Sequence, residues 1–322
     1  MGSKFRSIRG ILIKSILILV SVVIILIIIA PPIIVHFATS GHINYAGNTN
    51  KNVLQDIYQG EDFDLETTEL TLSTDDGLNI WTSEVFVENP KAVIIYLTGI
   101  RQPSITYFYG HSRWMKKNGF ATMLLEVRGH GNSSGNDVCL GYEEVNDVKA
   151  VLNYIKGQEK YKDVPIVLHG VSMGGAIAIN SFGELKDIDG LIAMSAYSSF
   201  EDVVSDTMRR YHIPKFICNI EKSMVRTWLS VKFGDKVYSN KPMKQIQNIG
   251  ERPALLIACT GDTEVQAVNM RRLLEKAPEQ CESWTRESWE HFIIKDCDFA
   301  NMEQDLEYCE RILEFLNSKI VK

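Results

Sequence analysis

Residues 170–175 of this 322-residue chain read Gly-Val-Ser-Met-Gly-Gly, and the interpretation of the whole sequence begins from this stretch. An apolar run at 166–168 precedes it, and the apolar residues 176–179 follow it. A strand, a Gly-x-Ser-x-Gly pentapeptide and a helix in this order form a nucleophile elbow. This sharp turn strains the backbone of the serine and leaves its hydroxyl exposed beside the positive end of the helix. We therefore predict that Ser172 is a nucleophile.

A serine hydroxyl is a weak nucleophile unless a base removes its proton and a carboxylate orients that base. His291 follows the last predicted strand, on a loop before the C-terminal helix. Asp262 follows the strand predicted at 254–258 and lies 29 residues before His291, which leaves room for one helix and one strand. His130 is the alternative base and Glu264 the alternative acid. The order serine, aspartate, histidine is one of the known triad orders and indicates a serine hydrolase.

Acyl transfer also needs hydrogen-bond donors directed at the oxyanion that develops during the reaction. One donor is the backbone N–H of Met173, the residue after the nucleophile. The second is expected on the loop after the strand predicted at 93–97, at the backbone N–H of Ile100. Because both donors are main-chain groups, the side chains at these positions carry little information.

Strand-like and helix-like segments alternate through most of the remaining sequence. This alternation predicts right-handed crossovers and a mostly parallel sheet with helices on both faces. An Asp-Asp-Gly turn at 75–77 predicts that the first two strands form a hairpin. The predicted strands are 69–73, 78–87, 93–97, 121–127, 166–168, 191–194, 254–258 and 283–286, and the predicted helices are 107–117, 142–155, 173–184, 264–276 and a last one carrying Met302, Leu306, Cys309, Leu313, Leu316 and Ile320 on its buried face.

Residues 197–248 interrupt this alternation with what look like short helices. Two interpretations stay open: the apolar side chains of the segment pack on the body, or the segment is a cap that supplies an apolar acyl site. These side chains are Met208, Tyr211, Phe216, Ile217, Met224, Trp228, Leu229 and Phe233.

The first fifty residues differ in composition from the rest. The stretch from Ile16 to Val35 is apolar except for Ser21 and the pair Pro31-Pro32, which matches the ~20 residues that a helix needs to cross a bilayer. Because basic flanks stay inside the cell, we expect the N-terminus in the cytoplasm and the bulk of the chain outside, at the cell membrane. A cleaved signal peptide is the alternative, but its apolar region would be about 7–15 residues long.

These considerations divide the chain into four predicted parts. The basic flank carries Lys4, Arg6, Arg9 and Lys14. The parts are a cytoplasmic flank at 1–14, one transmembrane helix at 15–38, a polar tether at 39–65 and a catalytic domain at 66–322, with a cap insertion at 197–248.

Composition excludes several classes of function. Without the four basic residues of the flank, the 34 Lys and Arg fall to 30 against 40 Asp and Glu, a formal charge near −10. Such a surface is unsuited to nucleic acid. The six cysteines include no Cys-x-x-Cys pair, and nucleotide-binding and metal-binding motifs are missing, so neither a cofactor nor a metal is expected.

Three segments carry a resemblance to a known family. Residues 126–135 read Glu-Val-Arg-Gly-His-Gly-Asn-Ser-Ser-Gly and resemble the Asp-x-Arg-Gly-x-Gly-x-Ser-x-Gly loop of α/β-hydrolases of the serine-aminopeptidase-like and lysophospholipase-like branch, with Glu126 in place of Asp. Thr98-Gly99 stands where this branch has His-Gly. Residues 258–265 resemble its His-Gly-x-x-Asp-x-x-Val segment, with Ala and Cys in the first two places.

The resemblance covers about residues 70–316 and implies the α/β-hydrolase fold with a small helical cap. It also implies roles for five residues: Ser172, Asp262 and His291 as nucleophile, acid and base, and Ile100 and Met173 as the oxyanion hole. The favoured function is a membrane-anchored serine hydrolase acting on a small-molecule or lipid ester. A serine aminopeptidase-like peptidase and a non-catalytic cell-surface binding protein are the alternatives, because one superfold supports many functions.

Overall fold

The short apolar runs of the sequence at 93–97, 121–125, 166–171, 190–194 and 254–259 become the central strands of a single mixed sheet. The computed structural model describes residues 2–44 and 56–321, and within these ranges the sheet has eight strands. They are β1 (Thr68–Ser73), β2 (Asn79–Val85), β3 (Val93–Leu97), β4 (Ala121–Leu125), β5 (Ile166–Val171), β6 (Gly190–Met194), β7 (Ala254–Cys259) and β8 (Cys281–Arg286). All eight predicted strands are present, with ends shifted by at most a few residues.

The strands lie in the order β1-β2-β4-β3-β5-β6-β7-β8. The β1–β2 hairpin and the β2–β4 pair are antiparallel, and the remaining neighbours are parallel. Every residue of β3, β4, β5, β6 and β7 is buried, as expected where helices cover both faces of a parallel sheet. The mostly parallel sheet predicted from the alternation is confirmed.

Helices lie on both faces of this sheet, and the sheet separates the core into two clusters. Within the described residues they are α1 (Gly2–Thr39), α2 (Tyr109–Lys117), α3 (Val145–Lys156), α4 (Met173–Glu184), α5 (Phe200–Arg210), α6 (Lys215–Phe233), α7 (Lys236–Ser239), α8 (Pro242–Gln245), α9 (Val268–Leu274) and α10 (Leu306–Phe315).

The last helix is shorter than predicted and faces the core differently. A 3₁₀ segment (Phe299–Gln304) precedes α10, so Met302 does not belong to the same helix as Cys309. Leu306 is 69 % exposed, whereas Tyr308 and Ile312 are fully buried. Leu306 was therefore wrongly assigned to the buried face, because the helix begins there, after Asp305 has accepted the N–H of Tyr308 as an N-cap.

Helix α1 contains the predicted transmembrane span. It includes Pro31 and Pro32 and packs against α6. The side chains at 2–11, 16, 19, 20, 23, 24 and 26 lie outside the described part of this helix. A search of the described residues finds no helix with both the length and the apolar character needed to cross a membrane. The transmembrane assignment of 15–38 stays a prediction.

The segment predicted as a tether contacts the body at both of its described ends. Ser40 and Ile43 pair with Asp137 and His130, on the loop that follows β4. Towards its other end the side chains of Phe63 and Leu65 are buried in the core. Residues 45–55 of the predicted tether lie outside the described residues.

Candidate active site

Ser172 occupies the tight turn between β5 and α4. Its backbone has φ 57° and ψ −119°, a region that residues other than glycine rarely adopt. The N–H of Ser172 donates to the carbonyl of Met194 on β6 (2.8 Å), and its carbonyl accepts the N–H of Ala176 (3.1 Å). These contacts hold a strained conformation of the kind that clusters at functional sites.

The two glycines of the pentapeptide allow this turn to close. A Cβ atom on Gly170 would lie 2.1 Å from the carbonyl oxygen of Gly174, and one on Gly174 would lie 2.2 Å from that of Leu97. Both distances are far below van der Waals contact. Glycine is therefore needed at both positions so that β5, the start of α4 and β3 can approach each other.

Asp262 and His291 form a buried hydrogen-bonded pair. The distance from His291 Nδ1 to Asp262 Oδ2 is 2.7 Å, and the two residues are 9 % and 3 % exposed. The other carboxylate oxygen of Asp262 accepts the backbone N–H groups of Glu264 (2.8 Å) and Val265 (3.0 Å). Since a carboxylate only accepts, Nδ1 carries the proton and Nε2 is left as the basic nitrogen.

The two alternatives named from the sequence fit the geometry less well. The side chain of Glu264 is 72 % exposed, and its Oε2 lies 3.9 Å from Nε2 of His291. In a triad the acid contacts Nδ1, because Nε2 must accept the proton of the nucleophile. His130 is buried beside Ile43, and burial lowers the pKa of its imidazole to about 4. The geometry therefore favours Asp262 over Glu264 as the acid and His291 over His130 as the base.

Three loops converge beside Ser172. A Cβ atom built on Gly99 would lie 3.6 Å from the Cβ of Ser172 and 3.3 Å from Cζ of Phe292, the neighbour of His291. The hydroxyl of Ser195 donates to the carbonyl of His291 (2.6 Å) and holds this loop against the end of β6. The converging residues follow β3, β5, β6 and β8, at the carboxyl edge where α/β sheets bind their ligands.

Tyr107 is a residue of the site that the sequence did not reveal. Its hydroxyl is hydrogen-bonded to the side chain of Thr98, the residue before Gly99. Burial raises the pKa of Tyr107 above its usual value, so the hydroxyl keeps its proton. Tyr107 thereby fixes the loop that carries Ile100, which is half-buried there. Its position within a predicted helix gave no signal of this contact.

We expect Tyr107→Phe to reduce turnover about 5-fold to 10-fold while the substrate KM changes little. The substitution removes a hydrogen bond worth about 1 kcal/mol, and the freed loop would place its backbone donor less well. Steady-state kinetics with a chromogenic ester, together with thermal unfolding, would measure both effects. An equal loss from Tyr109→Phe, whose hydroxyl donates to Ser83 (2.7 Å) away from this loop, would contradict the positioning role.

The 126–135 loop has a structural role that its resemblance did not specify. The guanidinium of Arg128 contacts both Asp147 (2.8 Å) and Asp76 (2.7 Å). Its hydrogen bonds lower the pKa of Asp76 to about 2. Asp76 belongs to the turn of the β1–β2 hairpin, so the arginine ties this loop to the hairpin and to α3.

Among the described residues, no group of three or more His, Cys, Asp and Glu side chains is placed to hold a metal ion.

Comparisons with known proteins agree with this architecture. The family described as "Serine aminopeptidase, S33" matches residues 88–228. An uncharacterized Bacillus subtilis protein, YqkD, is 24% identical over 176 residues, which are 54% of this chain and 56% of the relative. A Saccharomyces cerevisiae protein described as "Uncharacterized membrane protein YNL320W" is 26% identical over 137 residues, 42% of this chain and 47% of the relative. The chain thus spans about half the length of these curated relatives.

Solved structures establish the fold. The esterase Pf2001 of Pyrococcus furiosus superposes with a TM-score of 0.65 at 19% identity, over 87% of this chain and 99% of that one. An acylaminoacyl peptidase of Pyrococcus horikoshii superposes with a TM-score of 0.60 at 14% identity, over 83% of this chain and 44% of that one. The chain has the α/β-hydrolase fold that the sequence implied.

Proposed function

We propose that this protein is a serine hydrolase that acts through an acyl-serine intermediate. The observation that carries the proposal is the buried pair of Asp262 and His291 at the same sheet edge as the strained Ser172. A histidine whose Nδ1 is held by a carboxylate presents Nε2 as a general base. Ser172 is then the nucleophile.

The reaction follows from these roles. Oγ of Ser172 attacks the substrate carbonyl while His291 Nε2 takes the hydroxyl proton. The negative charge of Asp262 stabilises the imidazolium that forms. The backbone N–H groups of Met173 and Ile100 stabilise the oxyanion. The imidazolium then gives its proton to the leaving group, and an acyl-serine remains. Water attacks this ester, His291 again takes and returns a proton, and the acid is released with free Ser172.

Esters are the favoured substrates, with lipid or acyl esters first among them. The segment between β6 and β7 follows the carboxyl edge of the sheet, and Arg210 at the end of α5 donates to the carbonyl of Thr263, beside Asp262 (3.3 Å). This segment carries exposed apolar side chains close to the site, which suits a substrate with an acyl group. The structural likeness to an esterase supports the same substrate class.

A peptidase that recognises a free amino group is the second candidate. The exposed carboxylate of Glu264, 3.9 Å from His291 Nε2, is placed to pair with the ammonium group of a substrate. The matching family description and the peptidase among the structural neighbours support this candidate.

A substrate panel would separate the two. Turnover of p-nitrophenyl esters of increasing chain length would be measured beside that of aminoacyl anilides, with Glu264→Gln as the matched variant. The ester proposal predicts the higher kcat/KM on esters and little effect of the variant. A strong preference for aminoacyl anilides that Glu264→Gln removes would establish the peptidase instead.

We also propose that α1 anchors the protein in the cell membrane, with the N-terminus in the cytoplasm. The apolar composition of 16–35, the basic residues before it and a yeast relative described as a membrane protein support this proposal. The catalytic domain would then lie outside the cytoplasm.

The anchor predicts how the protein is released. Neither high salt nor alkaline carbonate should extract it from membranes, whereas detergent should, because an inserted apolar helix does not leave the bilayer spontaneously. Protease added to intact cells should remove the catalytic domain. Protection of the domain until the cells are broken would reverse the orientation. A secreted protein that begins beyond Pro32 would mean that the segment is a cleaved signal.

A further inference from the structure

The exposed apolar side chains of the catalytic domain are concentrated on its cap. In the described range 56–321, eleven large apolar side chains are exposed, and six of these lie between Tyr211 and Val231. The six are Tyr211, Ile213, Phe216, Ile220, Trp228 and Val231. Neither interpretation of the segment made from the sequence accounts for the exposure of these six side chains to solvent.

Helix α6 is apolar on two faces. Its inner face carries Cys218, Val225, Leu229 and Phe233, all buried against the body. Its outer face carries Phe216, Ile220 and Val231, four or more residues apart at helical spacing, with Phe216 65 % and Val231 72 % exposed. A surface helix ordinarily turns polar side chains outward, so an outward apolar face indicates an apolar partner.

Helix α6, which carries this outward apolar face, packs against α1. The Lys232 ammonium, near the end of α6, donates to the hydroxyl of Thr39 at the end of α1 (2.9 Å) and to Asp137 (2.8 Å). The two helices therefore pack with their C-terminal ends side by side. The outward side chains of α1 over the same stretch, including Ile29, Ile33 and Phe37, are exposed as well. Two helices that pack against each other thus both carry exposed apolar side chains.

The charge of this region is opposite to that of the whole chain. Residues 207–234 contain six Lys and Arg and a single acidic residue, Glu221, which is buried, whereas the chain carries a net charge of −6. Three of the six, Lys222, Arg226 and Lys232, pair with Asp202, Glu201 and Asp137. Arg209, Arg210 and Lys215 are exposed at the turn between α5 and α6. An apolar face bordered by basic residues is suited to the interface of a membrane that contains anionic lipids.

We propose that the outer face of the cap, from Tyr211 to Val231, lies in the lipid interface beside α1. This proposal rests on the membrane anchor proposed above and adds a second contact with the bilayer. Its consequence concerns substrate entry. The contact of Arg210 with Thr263 joins the end of α5 to the loop of Asp262, so a cap held in the interface would keep the candidate active site close to acyl esters of the bilayer.

Tryptophan quenching in lipid vesicles tests the proposal with the full chain. Trp228 is 40 % exposed on the cap, and Phe86, at the opposite edge of the sheet, is 41 % exposed. The protein would be reconstituted in vesicles of phosphatidylcholine and phosphatidylglycerol, with and without brominated acyl chains. We expect brominated lipid to quench the wild type, Trp228→Phe to abolish most of the quenching, and Phe86→Trp in that background not to restore it.

A charged substitution gives the second measurement. Ile220→Asp should prevent the quenching of Trp228 and slow hydrolysis of a vesicle-embedded acyl ester at least 10-fold, while turnover of a short soluble ester stays unchanged. The matched substitution Phe86→Asp should affect neither quenching nor hydrolysis in vesicles. Unchanged turnover of the soluble ester also shows that the variant is folded.

The outcomes separate this inference from the proposals on which it stands. If the protein floats with vesicles but Trp228 is not quenched, the cap inference fails and the anchor stands. A protein that does not float with vesicles overturns both. A detergent-solubilised dimer that Ile220→Asp converts to monomer would identify a second copy of the chain as the occupant and overturn the lipid interface. If the wild type were not labelled by a serine-reactive probe, the serine hydrolase proposal would fail, and the membrane contact of the cap would be unaffected.

Discussion

Ser172→Ala is expected to abolish covalent labelling by a fluorophosphonate probe and to lower turnover by a factor on the order of 10⁶. The size of this effect follows from other triad enzymes, in which removal of the nucleophile leaves only the contribution of binding and of the oxyanion hole. The substitution should leave the fold intact, because the hydrogen bonds that hold the turn come from the backbone of Ser172. Gel-based probe labelling and a steady-state assay would measure the two losses.

Two other serines provide the controls. The hydroxyl of Ser104 donates to the Thr106 hydroxyl (2.9 Å), and that of Ser133 accepts the N–H of Trp81 (2.8 Å), so both have structural partners. Ser104→Ala and Ser133→Ala should therefore keep their labelling. Labelling retained in Ser172→Ala would show that the nucleophile lies elsewhere. An unlabelled wild type would favour the non-catalytic binding protein.

Asp262→Asn is expected to cost about 10⁴-fold in turnover, by analogy with the same change in a serine protease triad. The carboxylate oxygen that now accepts Nδ1–H of His291 at 2.7 Å could be replaced by an amide N–H, which would favour the wrong tautomer of the imidazole. The other oxygen would still accept the N–H groups of Glu264 and Val265, so the turn should persist. Comparing kcat with the thermal unfolding midpoint separates the two effects.

Glu264→Gln is the matched control for this experiment. It removes a carboxylate of the same loop that is 72 % exposed and lies on the other side of the imidazole. Its effect on ester hydrolysis should stay within a few-fold, because an exposed ion pair contributes little. If Glu264→Gln proved the more damaging of the two, Glu264 would be the acid and the interpretation of the 258–265 segment would be two residues out of place.

The sequence predicted the sheet well because the signals for strands are local. Buried strands of a parallel sheet read as short apolar runs between turn residues, and each such run became a strand. The elbow is also largely local, since Gly170 is required by its approach to Gly174 within the same turn, whereas the approach of Gly174 to Leu97 depends on the neighbouring strand β3. Helix ends were less predictable. Leu306 fits an apolar stripe in the sequence, yet the N-cap of Asp305 begins α10 there and leaves it exposed.

Contacts between residues far apart in the chain were decided only by the tertiary structure. The 29-residue separation of Asp262 and His291 permitted their pairing, but the 2.7 Å distance comes from β7 and β8 lying side by side. The role of Tyr107 depends on a loop that folds back onto its hydroxyl. The sequence likewise identified the apolar side chains of 197–248, but it did not show which of them face the core and which face the solvent. Packing of one face of α6 against the body left Phe216 and Val231 on the outside, because a helix can turn only one side towards the core.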